Sequence, residues 1–298
     1  AVFATMAALV ATSWASLTKR KRKTKTGSRG TTTSKAMMHQ CSKREGEKMC
    51  IALAGVWILA AAIAIAMEAY EVWGKWGYMA FCGGCASLYF IFPYIWTCSA
   101  DRKLKWRERY ITKANIWIAI FSFIGNYWYT HYFYRVLEAR YTFDAHRLND
   151  VPICLYLMTH AYFMFYHALS NTVLRWIRTT FEANACRTLF EWSVVACMSY
   201  TTAFGEAVTI CAFPHYSFRD RHNALTLGSA FYGIYFLVSF PMFYRIDEPK
   251  ASQKPQKLSA APWSLWETAK DALAAGMLVL LLLDFVRLYL GIELFVAY

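Results

Sequence analysis

The chain has 298 residues and a formal net charge of +13, long enough for two or three soluble domains of ordinary size. Its composition excludes them. Apolar residues make up 57% and charged residues only 17%, where a soluble domain carries about 25% charged. The mean hydropathy of +0.25 excludes disorder over most of the length. An all-α, polytopic membrane helical bundle is the expected fold class, because lipid leaves no backbone group unpaired and alternating strand patterns are absent.

Residues 1–44 hold ten Lys and Arg and no acid, so the body of the chain is nearly neutral. The basic run Lys19-Arg20-Lys21-Arg22-Lys23 invites a nucleic-acid reading. A basic run ahead of a hydrophobic span is more simply a topology determinant, and no nucleic-acid partner is expected. Residues 1–48 are expected to form a basic, disordered or targeting segment, followed by a multi-pass membrane domain over residues 49–298. The chain begins at Ala1, not Met, which leaves open whether its N-terminus is complete.

Seven stretches approach the roughly 20 apolar residues that a crossing helix needs: 50–67, 78–98, 114–134, 152–174, 189–212, 224–244 and 270–290. The loops after the second, fourth and sixth carry 13 Lys and Arg, against 6 in the intervening loops. The richer loops and the basic N-terminal segment are therefore expected on the cytoplasmic side. Residues 247–267 contain Pro249, Pro255 and Pro262 and read as a connection. The nine cysteines are scattered, and Cys82-Gly83-Gly84-Cys85 lies inside an apolar run with no second pair. Small residues packing between helices account for it better than a metal or redox site.

Ionisable and amide groups inside spans are costly, so each asks for a reason. The third span carries Asn126, Tyr127, Trp128, His131 and Tyr132. The fourth carries His160, His167 and Asn171, whose spacings of seven and four share one helical face. The fifth places Glu206 between Thr202 and Thr209, and the seventh has Asp284 and Arg287 one turn apart. Structural readings compete. Asp284 and Arg287 can pair with each other, His160 can be an interhelical hydrogen-bonding residue, and the threonines can bond back to their own helix. Glu206 is harder to dismiss. It has no basic residue within one turn and sits about mid-span, where a carboxyl either meets a partner or holds its proton.

A metal site of His131, His160, His167 and Glu206 is set aside, because the close-set HxxxH and HxxHH boxes of membrane di-iron oxygenases are missing. No Gly-rich phosphate loop, GxSxG elbow or HExxH motif is present, which removes support for nucleotide, acyl-serine and zinc-protease chemistry. Mid-span aromatics, among them Tyr162, Phe163, Tyr166, Tyr232 and Tyr235, can form interface belts. They can also line a pocket for a flat apolar ligand, with π faces that attract positive charge.

From residue 100 onward the chain resembles the cycloeucalenol cycloisomerase family. The matching runs are ADRKLKWRERYITKANIW (100–117), GNYWYTHYFYRVLEARYTF (125–143), THAYFMFYHALSNTVLR (159–175), YGIYFLVSFPMFYRIDE (232–248) and LLDFVRLYLG (282–291). The first hundred residues match poorly, residues 249–267 are longer than is usual in the family, and the chain stops soon after Gly291, where members continue. The resemblance implies a multi-pass enzyme of the endoplasmic reticulum membrane. Such an enzyme opens the 9β,19-cyclopropane ring of cycloeucalenol to give obtusifoliol. Its partners are the cyclopropyl sterol and the lipid bilayer; no protein partner is implied.

That reaction adds a proton at C19 and removes one from C8, so it needs no redox or nucleotide cofactor. It needs an acid, a base, a pocket that tolerates a cation at C9, and exclusion of water. Glu206 is the expected acid, with Asp284 second choice. His131, His160 and His167 are expected to assist it, one of them as the base. Tyr127, Trp128 and Tyr132 are candidates for stabilising the cation, and Asn126 and Asn171 for holding the acid or the sterol hydroxyl. Other functions use similar features. A sterol double-bond isomerase would act on a Δ8 sterol, a non-catalytic membrane sterol-binding protein would bind without turnover, and a metal-dependent oxidase would carry iron or zinc on elemental analysis. A transporter would show broken spans in corresponding halves, which the sequence does not have.

Overall fold

The computed structural model describes residues 2–19, 32–128, 133, 138–248 and 262–289. The architecture is helical: α1 (Val2–Ala15), α2 (Thr32–Ala66), α3 (Ala69–Val72), α4 (Lys75–Ile95), α5 (Tyr110–Trp128), α6 (Ile153–Thr180), α7 (Ala185–Ala212), α8 (Arg221–Asn223), α9 (Ser229–Tyr244) and α10 (Leu265–Leu288). Four two-residue strands join them: β1 (Arg140–Tyr141), β2 (Arg147–Leu148), β3 (Val151–Pro152) and β4 (Tyr216–Ser217). Four helices are long and apolar enough to cross a membrane by length and composition: Met37–Ala66, Lys75–Ile95, Ala185–Ala212 and Arg221–Tyr244.

The other three expected stretches fall on α5, α6 and α10, which are long but more polar. For α5 the reason is its position. It is the central helix, with Ala114, Trp117, Ile118 and Phe121 fully buried between α2, α4, α6 and α10. A helix wrapped by protein can keep Lys113 and Asn115, which lipid would not tolerate. Trp117 Nε1 donates to Asp271 Oδ1 of α10 at 3.0 Å. Gly276 of α10 lets that helix approach closely, since a Cβ there would meet Ile124 at 2.8 Å.

The expected boundary at residue 48 falls inside α2, which runs on without a break. Residues 2–15 also form a helix, packed along α7 through Phe3 on Tyr200 and Phe204, and Trp14 on Phe190. Most of the basic run, from Arg20, lies outside the described residues.

The two ends of the bundle differ in chemistry. One gathers charge: Lys113 pairs with Asp247 at 2.7 Å, Lys43 with Glu248 at 2.8 Å and Arg175 with Glu47 at 2.5 Å. Lys43 also donates to the carbonyls of Tyr244 and Ile246, closing the end of α9 onto α2. The other end is aromatic. There β2 and β3 form a hairpin, pairing Leu148 with Val151 across Asn149 and Asp150. Those two residues have φ of 52° and 62°, the left-handed conformation that a tight two-residue turn requires. β1 pairs with β4 and carries Tyr141 and Tyr216 over the interior.

Lys113 and Asp247 are both fully buried. Removing one partner of such a pair costs about 3–5 kcal/mol, because a charge is left stranded. Lys113→Met is expected to lower the thermal unfolding temperature of the detergent-solubilised protein sharply. The double variant Lys113→Met/Asp247→Asn should recover most of the loss.

Candidate active site

At the aromatic end, α2, α5, α6, α7 and α9 line a cavity of about 450 Å³, within the roughly 300–1,000 Å³ of small-molecule sites. Its walls are mostly apolar and aromatic, with Trp57, Leu155, Met158, Phe163, Tyr166 and Tyr235 among them. Phe133 and Tyr141, stacked 4.6 Å apart, and Tyr216 and Phe218 roof it. The first turn leading into α9, Ala224–Gly228, is a π turn, a wide turn often found at functional sites. Its Ala224 and Gly228 line the cavity, followed by Ser229. Gly125 leaves room for Tyr235, whose hydroxyl would lie 2.5 Å from a Cβ at that position.

Glu206 reaches this cavity from α7. It lies six residues before the end of the helix, nearer the terminus than the middle that the sequence suggests. Its side chain is buried at 9% exposure, and no Lys, Arg or His is among the described residues lining the cavity. Two tyrosines hold it instead. The Tyr232 hydroxyl donates to Oε2 at 2.9 Å, and Tyr162 lines the cavity beside the same carboxyl. Tyr162 is 2.9 Å from the Thr159 hydroxyl, and Thr159 donates to the Leu155 carbonyl at 2.7 Å. Asn126 Oδ1 is 3.4 Å from Thr159, while its amide donates to the Ser122 carbonyl. A polar file of Tyr162, Thr159 and Asn126 therefore runs beside Glu206 in an otherwise oily chamber. Thr209, expected beside Glu206, bonds back to the Glu206 carbonyl at 2.7 Å.

Of the expected site residues, the structure brings Glu206 and Asn126 to the cavity and places others elsewhere. His160 faces α4 and α5. Its Nε2 bonds to Asn115 Oδ1 at 2.9 Å and its ring stacks on Phe90 at 4.2 Å. His167 is enclosed by Trp117, Phe121, Phe240 and Phe243. Its Nδ1 donates to the Phe163 carbonyl at 2.8 Å, which leaves Nε2 to accept from Ser239 at 2.9 Å. Both its nitrogens are committed to packing, not to the cavity. Asn171 belongs to the charged end, where its amide donates to Glu47 and the Tyr110 hydroxyl.

Asp284 is exposed on the outer face of α10, and among the described residues no ion pair joins it to Arg287. Tyr127 stacks on Phe123, and Trp128 is 52% exposed; neither lines the cavity. His131 and Tyr132 lie outside the described residues.

Sequence reasoning missed Thr159 as a site residue and named Tyr162 and Tyr232 only as aromatics. The signal was present in the spacing. Leu155, Thr159, Tyr162 and Tyr166 recur at intervals of four, three and four, one stripe of α6, and all four line the cavity.

The chain is similar to a curated Arabidopsis thaliana protein, "Cycloeucalenol cycloisomerase", with 40% identity over 253 residues, 84% of this chain and 87% of that one. No protein-family profile matches the chain, and no solved structure does.

The tyrosine–threonine file generates a prediction. Thr159→Val keeps the shape and removes the hydroxyl that meets Tyr162. Turnover is expected to fall about tenfold, the loss of one hydrogen bond worth about 1.4 kcal/mol, with KM little changed. Thr159→Ser should restore it.

Proposed function

Because the chain belongs to the cycloeucalenol cycloisomerase family and is an isomerase, we propose that the cavity takes cycloeucalenol and opens its 9β,19-cyclopropane ring to give obtusifoliol. The supporting observation is a buried carboxyl, Glu206, that faces an apolar cavity of fitting size with hydroxyls but no cation around it.

The hydrogen-bond file has a direction. The Leu155 carbonyl can only accept, so it takes the hydrogen of Thr159, at 2.7 Å. Thr159 oxygen then accepts from Tyr162, and the Tyr162 oxygen is left to accept from the carboxyl. A protonated Glu206 completes that order by donating to the Tyr162 oxygen. The carboxyl O–H breaks as a C19–H bond forms from the C9–C19 electron pair, leaving a cation at C9. Tyr162 then turns its hydroxyl to the new carboxylate, joining Tyr232. Loss of the C8 proton places its electron pair between C8 and C9 and quenches the cation.

Both C8 and C19 are bonded to C9, so one carboxyl can serve both transfers. Glu206 is the one carboxylate among the described lining residues. It is our choice for the base as well as the acid, in place of His160 or His167, and regaining the proton resets the site. Phe163, Tyr166 and Tyr235 present π faces to the transient cation. The roof of Phe133, Tyr141, Tyr216 and Phe218 keeps out the water that would trap it. Asn126 is placed to meet the sterol hydroxyl or to steady Thr159.

The finer placement goes with this reading. All seven expected spans cross the membrane of the endoplasmic reticulum, with the charged end cytoplasmic and the cavity toward the lumenal leaflet.

Glu206→Gln preserves shape and removes the acidity. Conversion of cycloeucalenol in microsomes of a yeast expressing the variant is expected to fall at least 10²-fold. Near-normal conversion would exclude the assignment. Asp284→Asn, in a side chain on the outer face, is expected to stay within about twofold of the parent.

A further inference from the structure

A second cavity, about 670 Å³, lies at the charged end between α2, α6, α7 and α9, well apart from Glu206. Its walls carry five cationic side chains, Lys43, Arg44, Arg175, Arg178 and Arg187, and two carboxylates, Glu191 and Glu248, with Glu47 behind Arg175. The carboxylates are all engaged: Glu248 with Lys43, Glu47 with Arg175, and Glu191 with Arg178. Among the described residues, two arginines of the wall, Arg44 and Arg187, form no ion pair. Arg44 is exposed, but Arg187 has a buried Nε with no hydrogen-bond partner among the described residues. A buried guanidinium nitrogen without an acceptor is costly and asks for one.

The backbone adds to the same field. Arg187 lies in the first turn of α7, which opens at the Asn184 cap. The positive end of a 28-residue helix therefore faces the cavity beside the two free cations. Aromatic surface flanks the charge: Trp192 and Tyr244 line the cavity, and Arg178 lies 4.5 Å from the Tyr244 ring centroid.

We propose that this cavity binds a phosphate-bearing anion, the headgroup of an anionic phospholipid, with Arg187 and Arg44 as its ligands. The ion pairs hold the walls apart, and the unpaired arginines supply the two positive charges that a phosphomonoester or phosphoinositide headgroup would neutralise. A basic pocket between helices at one end of a bundle is the geometry in which such headgroups are held. Arginine, with its planar fork, is suited to phosphate. The proposal does not depend on the sterol reading, because the two cavities share no lining residue.

The test is thermal unfolding of the full chain in detergent, with added phosphatidylinositol, phosphatidylcholine or inorganic phosphate. Phosphatidylinositol is expected to raise the midpoint by several degrees, and phosphatidylcholine not to. Arg187→Gln should abolish the rise. Because that side chain could matter for folding, Thr188→Asp provides a second variant. It places a carboxylate in the same first turn, where helix termini favour negative charge, and should also abolish the rise while leaving the lipid-free midpoint unchanged. Protection by inorganic phosphate alone, lost in both variants, would support the anion site with a free phosphate as occupant. Equal protection by both lipids, or protection that survives both variants, would overturn the proposal.

Discussion

A carboxyl without a counter-cation is the constraint around which the aromatic half of this molecule is organised. Glu206 meets no Lys, Arg or His among the described residues of its cavity, and its company is the hydroxyls of Tyr232 and Tyr162. Such a group is tolerated inside protein only when its hydrogen-bonding capacity is filled. That demand fits the Tyr232 hydroxyl on its Oε2 at 2.9 Å and Tyr162 beside it, itself 2.9 Å from Thr159. The same hydroxyls that make the acid bearable also accept the charge it leaves behind, so stability and chemistry draw on one set of contacts.

The charged half obeys the opposite rule. There, full charges are paired directly, as in Lys113 with Asp247 and Arg175 with Glu47. The central helix α5 links the two regimes, with Lys113 near one end and Asn126 near the other. Separating them matters, because a cationic intermediate in the cavity would be destabilised by nearby guanidinium groups. No arginine is among the described residues lining the Glu206 cavity, whereas four line the cavity at the charged end.

The sequence made some of this legible. The helical class followed from apolar runs, and Glu206 and Asn126 stood out as polar groups in apolar stretches. The histidines were less transparent. His160 and His167 do share a face, as their spacing of seven requires, but that face turns toward α5 and its neighbours, not the cavity. Periodicity shows which residues share a side of a helix; only the packing of α4, α5 and α9 around α6 decides where that side looks. Tyr162 and Thr159, one stripe over, were hidden because hydroxyl-bearing residues are ordinary in membrane helices. Among the described residues each of the seven expected stretches overlaps a helix, yet only four pass on length and composition. A span enclosed by other helices, as α5 is, loses the uniform hydrophobicity that marks one facing lipid.

The π turn at Ala224–Gly228 fixes the angular phase of everything after it. An α-helix advances about 100° per residue, and a π turn takes up one extra residue before regular winding resumes. Tyr232 and Tyr235 therefore point inward because of a local irregularity upstream, not because of their own neighbours. Shortening that turn by one residue would swing both hydroxyls away together and present Glu206 with a blank wall of helix, while leaving α9 as long and as greasy as before.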